Sequence, residues 1–145
     1  MADDGRVKSS KEVHSYLSRV MYNARSKVDP FYNQLLVGGW EKNQPFLGYV
    51  DMYGSSYVDK FAATGFGMHL AMPILRNAWK PDLTEQEARA ALEDCMRVLY
   101  YRDGYTINRF NLAKIDPSGV TISEPYSLST NWNYQRFVNP GLRAL

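Results

Sequence analysis

The chain has 145 residues, 45% of them hydrophobic and 14% aromatic, enough for one domain with a sizeable core. Seventeen basic against fifteen acidic residues leave a net charge of +2, with no Lys/Arg block and no basic stripe interleaved with aromatics, which argues against nucleic acid as a partner. The single Cys95 excludes an intramolecular disulfide and fits a reducing compartment.

No apolar run approaches the roughly 20 residues of a membrane span, so no membrane association is expected. The polar, acidic start reads as neither a signal nor a transit peptide, which with Cys95 predicts cytoplasm and nucleus. Eleven tyrosines and three tryptophans suit interfaces, because these rings bury large area while keeping a polar tip satisfied.

Residues 1–8 read as a loose lead. Ser9 and Glu12 form a capping box, and Val13, Tyr16, Leu17, Val20, Met21 and Ala24 follow at helical spacing on one face. Asp29 and Pro30 stop this helix. Two apolar runs, 34–40 and 46–52, flank a polar turn over 41–45 and predict a hairpin. Gly38, Gly39 and Gly48 inside it imply close approach of a neighbouring layer. Tyr57 and Val58 suggest a short third strand.

A small-residue turn over 61–67 leads to a second helix, 68–79, with a kink or late start at Pro73. Thr84 and Glu87 cap a third helix, whose buried stripe reads Ala88, Ala91, Leu92, Cys95, Met96 and Leu99. It ends at Tyr100, Tyr101, Arg102, Asp103 and Gly104. A strand over 106–115, a turn over 116–119 and a brief returning strand over 120–122 come next. Residues 124–145 have no helical or strand period but are aromatic, unlike plain disorder, and so are expected to lie along something. The order helix, hairpin, two helices, hairpin, tail is α+β with antiparallel pairing. The division is 1–8 lead, 9–123 folded body and 124–145 C-terminal arm.

Few residues invite a chemical role. His14 and His69 belong to no metal-ligand motif, since a site needs three or four convergent ligands. Cys95 lies on an apolar stripe and reads as a small buried hydrophobe. Gly65, Phe66 and Gly67 lack the lysine and further glycines of a phosphate loop. No metal and no cofactor is expected. Arg102 and Asp103 exceed what a helix stop requires, and three readings stay open for them: catalytic, interfacial, or a solvated ion pair.

Several strings, taken in order, resemble beta-type proteasome subunits, a threonine-peptidase family. They are Val13-His14-Ser15-Tyr16-Leu17, Met21-Tyr22-Asn23-Ala24-Arg25, Phe46-Leu47-Gly48-Tyr49-Val50-Asp51-Met52, Ala63-Thr64-Gly65-Phe66-Gly67, Cys95-Met96-Arg97-Val98-Leu99-Tyr100-Tyr101-Arg102-Asp103 and Thr130-Asn131-Trp132. Within the family the likeness is strongest to the non-catalytic seventh member of the beta ring.

The resemblance implies an N-terminal-nucleophile hydrolase fold, an αββα layered sandwich with antiparallel sheets, incomplete here at the N-terminus. Catalytic siblings carry their nucleophilic threonine, an aspartate and a lysine in a part with no counterpart here. They also have Asp-x-x-Ser, matched by Asp103 with Thr106 in the serine's place. Their Gly-Ser-Gly is matched by Gly65, Phe66 and Gly67, with Phe66 (or Gly65, in a register one residue earlier) in place of the serine. The implied role is structural, in a hetero-oligomer of alpha and beta subunits with a facing ring, and the implied interface residues are Arg102, Asp103, Tyr126, Trp132, Tyr134 and Phe137. A shortened paralogue that competes in assembly is the alternative, and a threonine peptidase in its own right a weaker one.

Overall fold

The computed structural model describes residues 5–133. Helix α1 (Ser10–Ser26) begins at its capping box: the Ser9 hydroxyl accepts from the Glu12 amide at 3.2 Å and the Glu12 carboxylate from the Ser9 amide at 2.8 Å. A second carboxylate, Glu41, accepts from the Ser10 amide and hydroxyl and from the Lys11 amide. Those donors, the Ser10 hydroxyl first, hold the Glu41 carboxyl below its ordinary value, as expected for an anion at a helix N-terminus.

Strands β1 (Leu35–Glu41), β2 (Gln44–Val50) and β3 (Ser56–Val58) form an antiparallel sheet in that order, with register from Leu35↔Val50 to Glu41↔Gln44. The expected five-residue turn is only two residues long. Lys42 and Asn43 take φ +49° and +61°, the mirror-image turn whose twist matches paired strands. Pro45 consequently joins β2 opposite Trp40, beyond the stretch Gly48–Val50 that β3 pairs.

The face α1 buries differs from the apolar stripe of the sequence. His14 and Met21 are buried, while Val13 and Tyr16 are 36% and 50% exposed. The glycines explain this: a Cβ on Gly48 would stand 2.5 Å from the His14 ring, and one on Gly39 would overlap Ser10. The helix therefore lies close to the sheet, and His14 Nε2 reaches the Tyr49 carbonyl at 3.0 Å. A polar ring with a backbone partner replaces apolar burial there.

Helices α2 (Gly67–Ala78) and α3 (Glu85–Arg102) pack around Ala71, Leu75 and Cys95. Pro73 lies within α2, which starts early rather than late. The expected stripe on α3 is only partly covered: Cys95 is buried but Leu92 is 43% exposed, since 12 residues of α2 face 18 of α3. Burial pushes the Cys95 thiol up from its ordinary value, with Asp94 adding to the effect; this is an inert thiol.

Thr84 and Glu87 cap α3 reciprocally. Lys80, then Thr84, holds the Glu87 carboxyl down to about 2. Thr84→Ala is expected to lower stability by about 1 kcal/mol. A depressed carboxyl stabilises above its unfolded pKa of 4.5 and loses that contribution as pH falls toward 2. The deficit of Thr84→Ala should therefore be smaller at about pH 3 than at neutral pH, modestly so because the group is exposed. Urea unfolding of dilute protein at both pH values checks this.

Strands β4 (Ala113–Asp116) and β5 (Gly119–Ile122) form a separate hairpin. The strand expected over 106–115 thus shrinks to its last three residues and takes in Asp116 from the expected turn. Backbone bonds persist at Phe110–Tyr126 and from the Ser123 amide to the Leu112 carbonyl. Side chains interrupt the ladder beside them: Asn108 pairs with the Leu128 backbone, and Asn111 Nδ2 donates to the Ser123 carbonyl at 2.8 Å. Such local competition is what asparagine offers a backbone. The hairpin meets the sheet at Gly38, where a Cβ would lie 2.7 Å from Ile115 Cδ1. The whole is a mixed helix and sheet fold with antiparallel sheets.

Candidate functional site

Two groups of residues are candidates: the turn into α2 with the corner after α3, and the segment that returns along α3. Gly65 takes φ +58° with open space beyond its Cα, and Phe66 sits at the N-cap of α2 with no side-chain hydrogen bond to the helix. Phe66 is 53% exposed and meets the His69 ring edge-on at 5.8 Å. Gly67 is buried and faces Leu99 of α3. Leu99 in turn accepts from the Asp103 amide at 2.7 Å, so the turn is packed one helical turn before the corner.

At that corner the Asp103 carboxylate is committed locally. Oδ1 accepts from the Tyr105 amide at 3.1 Å and Oδ2 from the Thr106 hydroxyl at 2.7 Å. The threonine thus makes the hydrogen bond available to a serine at that place. Among the described residues no ion pair joins Asp103 to Arg102, which overturns the ion-pair reading; Arg102 is exposed in the last turn of α3, where a cation suits the helix dipole.

Beside Gly65 lies an open cleft of about 340 Å³ lined by Tyr32, Asn33, Gln34, Met52, Thr64 and Gly65. Gln34 Oε1 spans it to accept from the Gly65 amide at 2.7 Å. Its lining includes no carboxylate, imidazole, thiol or amine, so it holds no acid–base pair. Among the described residues no three metal-ligating side chains converge. Nor is any described helix long and apolar enough to cross a membrane.

The second group is more extensive. Tyr126 pairs with Phe110 through both backbone bonds, at 3.0 and 3.1 Å, and their rings lie 4.7 Å apart. Its hydroxyl donates to Glu93 at 2.9 Å. Burial, then Glu93, raises the pKa of that phenol. Asn108 gives and takes one bond each with the Leu128 backbone, at 2.7 and 2.9 Å. Arg97 Nε donates to the Ser129 carbonyl at 3.4 Å. The Asn131 amide donates to the Tyr101 hydroxyl at 2.6 Å, and Trp132 stands edge-on to Tyr100 at 5.6 Å and to Tyr101 at 4.9 Å. Tyr126 and Trp132 are therefore engaged with α3 of the same chain. Tyr134 and Phe137, named with them from the sequence, lie outside the described residues. Glu93 and Asn108 escaped the sequence reading, because nothing local pairs them with positions 20 or more residues away.

A proteasome subunit family model matches residues 3–126. Over 140 residues the chain is 51% identical to "Proteasome subunit beta type-4" of Arabidopsis thaliana, covering 97% of the chain and 57% of that relative. Over 141 residues it is 43% identical to "Proteasome subunit beta type-4" of Xenopus laevis, covering 96% and 58%. With "Probable proteasome subunit beta type-7" of Schizosaccharomyces pombe it shares 41% over 138 residues, covering 90% and 52%. The chain thus spans somewhat more than half the length of these relatives.

Proposed function

From the premise that the chain belongs to the proteasome subunit family, we propose that it is a non-catalytic structural subunit of the beta ring of a proteasome core particle. In this reading it contributes to ubiquitin-dependent protein degradation through assembly rather than chemistry. Its partners are the alpha and beta subunits of the particle, and its C-terminal residues, Tyr134 and Phe137 included, reach a neighbouring subunit. The helices and the two antiparallel sheets are read as part of an αββα layered sandwich. The single, buried Cys95 supports a cytoplasmic and nuclear location.

The observation that carries the non-catalytic part is the fate of the two motif positions. Phe66 offers no hydroxyl, and each Asp103 oxygen holds a hydrogen bond inside its own turn, from Tyr105 and from Thr106. An aspartate so engaged shapes a turn.

Co-expression of the full chain with the other core subunits tests both parts by particle mass and fluorogenic-peptide hydrolysis. The chain is expected in the large particle. Asp103→Asn should leave the hydrolysis per assembled particle unchanged, because only the turn's hydrogen bonds are altered. A chain that stays outside the particle would sink the structural role. A particle whose hydrolysis collapses with Asp103→Asn at normal assembly would sink the non-catalytic one.

A further inference from the structure

We infer that the corner after α3 is a docking epitope, in which Arg102, Tyr105, Ile107 and Arg109 engage an apolar pocket bordered by carboxylates on another core subunit. The docking presupposes the structural role proposed above; the geometry of the corner does not.

The corner holds its shape from inside. The Asp103 amide closes the last turn of α3 on the Leu99 carbonyl at 2.7 Å, and the Thr106 amide donates to the Asp103 carbonyl at 3.2 Å. The Asp103 carboxylate accepts from the Tyr105 amide and the Thr106 hydroxyl. Further along, Asn108 exchanges two bonds with the Leu128 backbone, and the Phe110 backbone two with that of Tyr126. Every second residue, Thr106, Asn108 and Phe110, is thus half-buried and bonded.

The residues between them are left outward. Tyr105 is 98% and Ile107 71% exposed, and Arg109 is exposed, as is Arg102 just before the corner. Among the described residues none of these four side chains makes a hydrogen bond, an ion pair or a ring contact. Single exposed apolar residues need no explanation. Here, however, a phenol and a branched aliphatic chain stand two positions apart on a short segment whose backbone is already fixed. Nothing in the isolated chain is stabilised by placing them there. A partner that covers them orders little further backbone, which favours binding.

The charges name the chemistry of that partner. Arg102 and Arg109 flank the two apolar side chains in sequence, and the one carboxylate within 102–110, Asp103, is turned into the corner. A pocket that takes Tyr105 has to be apolar around the ring and offer its hydroxyl an acceptor. Carboxylates on the border supply that acceptor and pair with both guanidinium groups. A border without them would desolvate two cations with no counter-charge. Tyr and Arg are also the residue types that dominate interface energies. Asp103, grouped with Arg102 from the sequence, is therefore scaffold for the epitope and not part of its contact.

The test co-expresses the full chain with the other core subunits, in competition with a differently tagged parent chain, and reads the ratio of the two in purified particles. Tyr105→Ala is expected to lower that ratio about tenfold, the scale of an interface hot spot, while Tyr105→Phe keeps most of it. Arg102→Glu with Arg109→Glu should lower it at least as far. Because all four side chains are exposed, urea midpoints of the isolated variants should match the parent. Should Tyr105→Ala fold poorly, Ile107→Ser serves as the second apolar probe, with a loss expected in the same direction. A benzophenone side chain at position 105 should cross-link, on irradiation of purified particles, to apolar residues of one other subunit with Asp or Glu close by. Unchanged ratios for the apolar and charge variants, with the parent chain in the particle, overturn the docking and leave the structural role standing. Cross-linking to a surface without carboxylates overturns the stated partner. A parent chain found in no particle sinks the structural role, and the docking with it.

Discussion

Gly54→Ala is expected to destabilise the chain by about 3 kcal/mol, combining backbone strain with overpacking. Gly54 takes φ +81°, and a Cβ there would stand 2.5 Å from Tyr22 Cβ, 2.7 Å from Tyr22 N and 2.8 Å from Tyr22 Cα. The last two are backbone atoms in the body of α1, which cannot swing aside as the end of a side chain can. The turn is pinned on both sides of the contact. The Ser18 hydroxyl donates to the Gly54 carbonyl at 2.7 Å, and Asp51 Oδ1 accepts from the Tyr53 and Ser55 amides, each at 2.9 Å. Relief would require moving α1 off the sheet.

Gly65 supplies the control. Its φ of +58° is equally left-handed, but nothing lies within 4 Å of its added Cβ, so Gly65→Ala should cost only the conformational part, about 1–2 kcal/mol. Urea midpoints of the two variants at low protein concentration make the comparison. Equal losses would mean that the β2–β3 turn does not press on α1 as described.

What could be read in advance follows the range of the interaction. The boxes Ser9–Glu12 and Thr84–Glu87 are local chemistry, and both helices start where those residues predict. Gly38, Gly39 and Gly48 announce close approach, though only the structure names Ile115, Ser10 and His14 as the neighbours. His14 escaped because apolar periodicity ignores a ring whose partner is a backbone carbonyl 35 residues away. Residues 106–112 alternate like a strand, yet Asn108 and Asn111 spend their amides on residues 123 and 128. At the candidate site, Asp103 stands out as a charge beyond what a helix stop requires, while Phe66 gains meaning only through the resemblance. The contacts that join residues 126–132 to α3 link positions 30 to 33 apart, a pairing no local pattern encodes.

The isolated chain is expected to self-associate as its concentration rises, and Val120→Lys with Ile122→Lys should suppress this. The reason lies on one side of the sheet. Leu36 and Trp40 share a face with Gly38 because strand side chains alternate, and they are 43% and 36% exposed. Gly38 meets Ile115, which shares a hairpin face with Val120, its register partner, and with Ile122; the latter two are 64% and 65% exposed. Apolar surface that continues across β1 and onto an edge hairpin marks an association surface rather than scattered exposure. Burying a Val or Ile side chain fully is worth roughly 2 kcal/mol. Only the still-exposed part of each, roughly two thirds, remains to be buried, about 1.3 kcal/mol apiece, so at about 1.4 kcal/mol per tenfold losing both weakens association on the order of a hundredfold. Neither side chain is buried in the chain itself, so the fold should tolerate both lysines with little change in its urea midpoint. Sedimentation of the parent and double variant from about 1 to 100 µM reads the result. A parent chain that remains monomeric throughout would show that this face needs no cover, and with that the physical case for an obligate partner on this side of the sheet would fail.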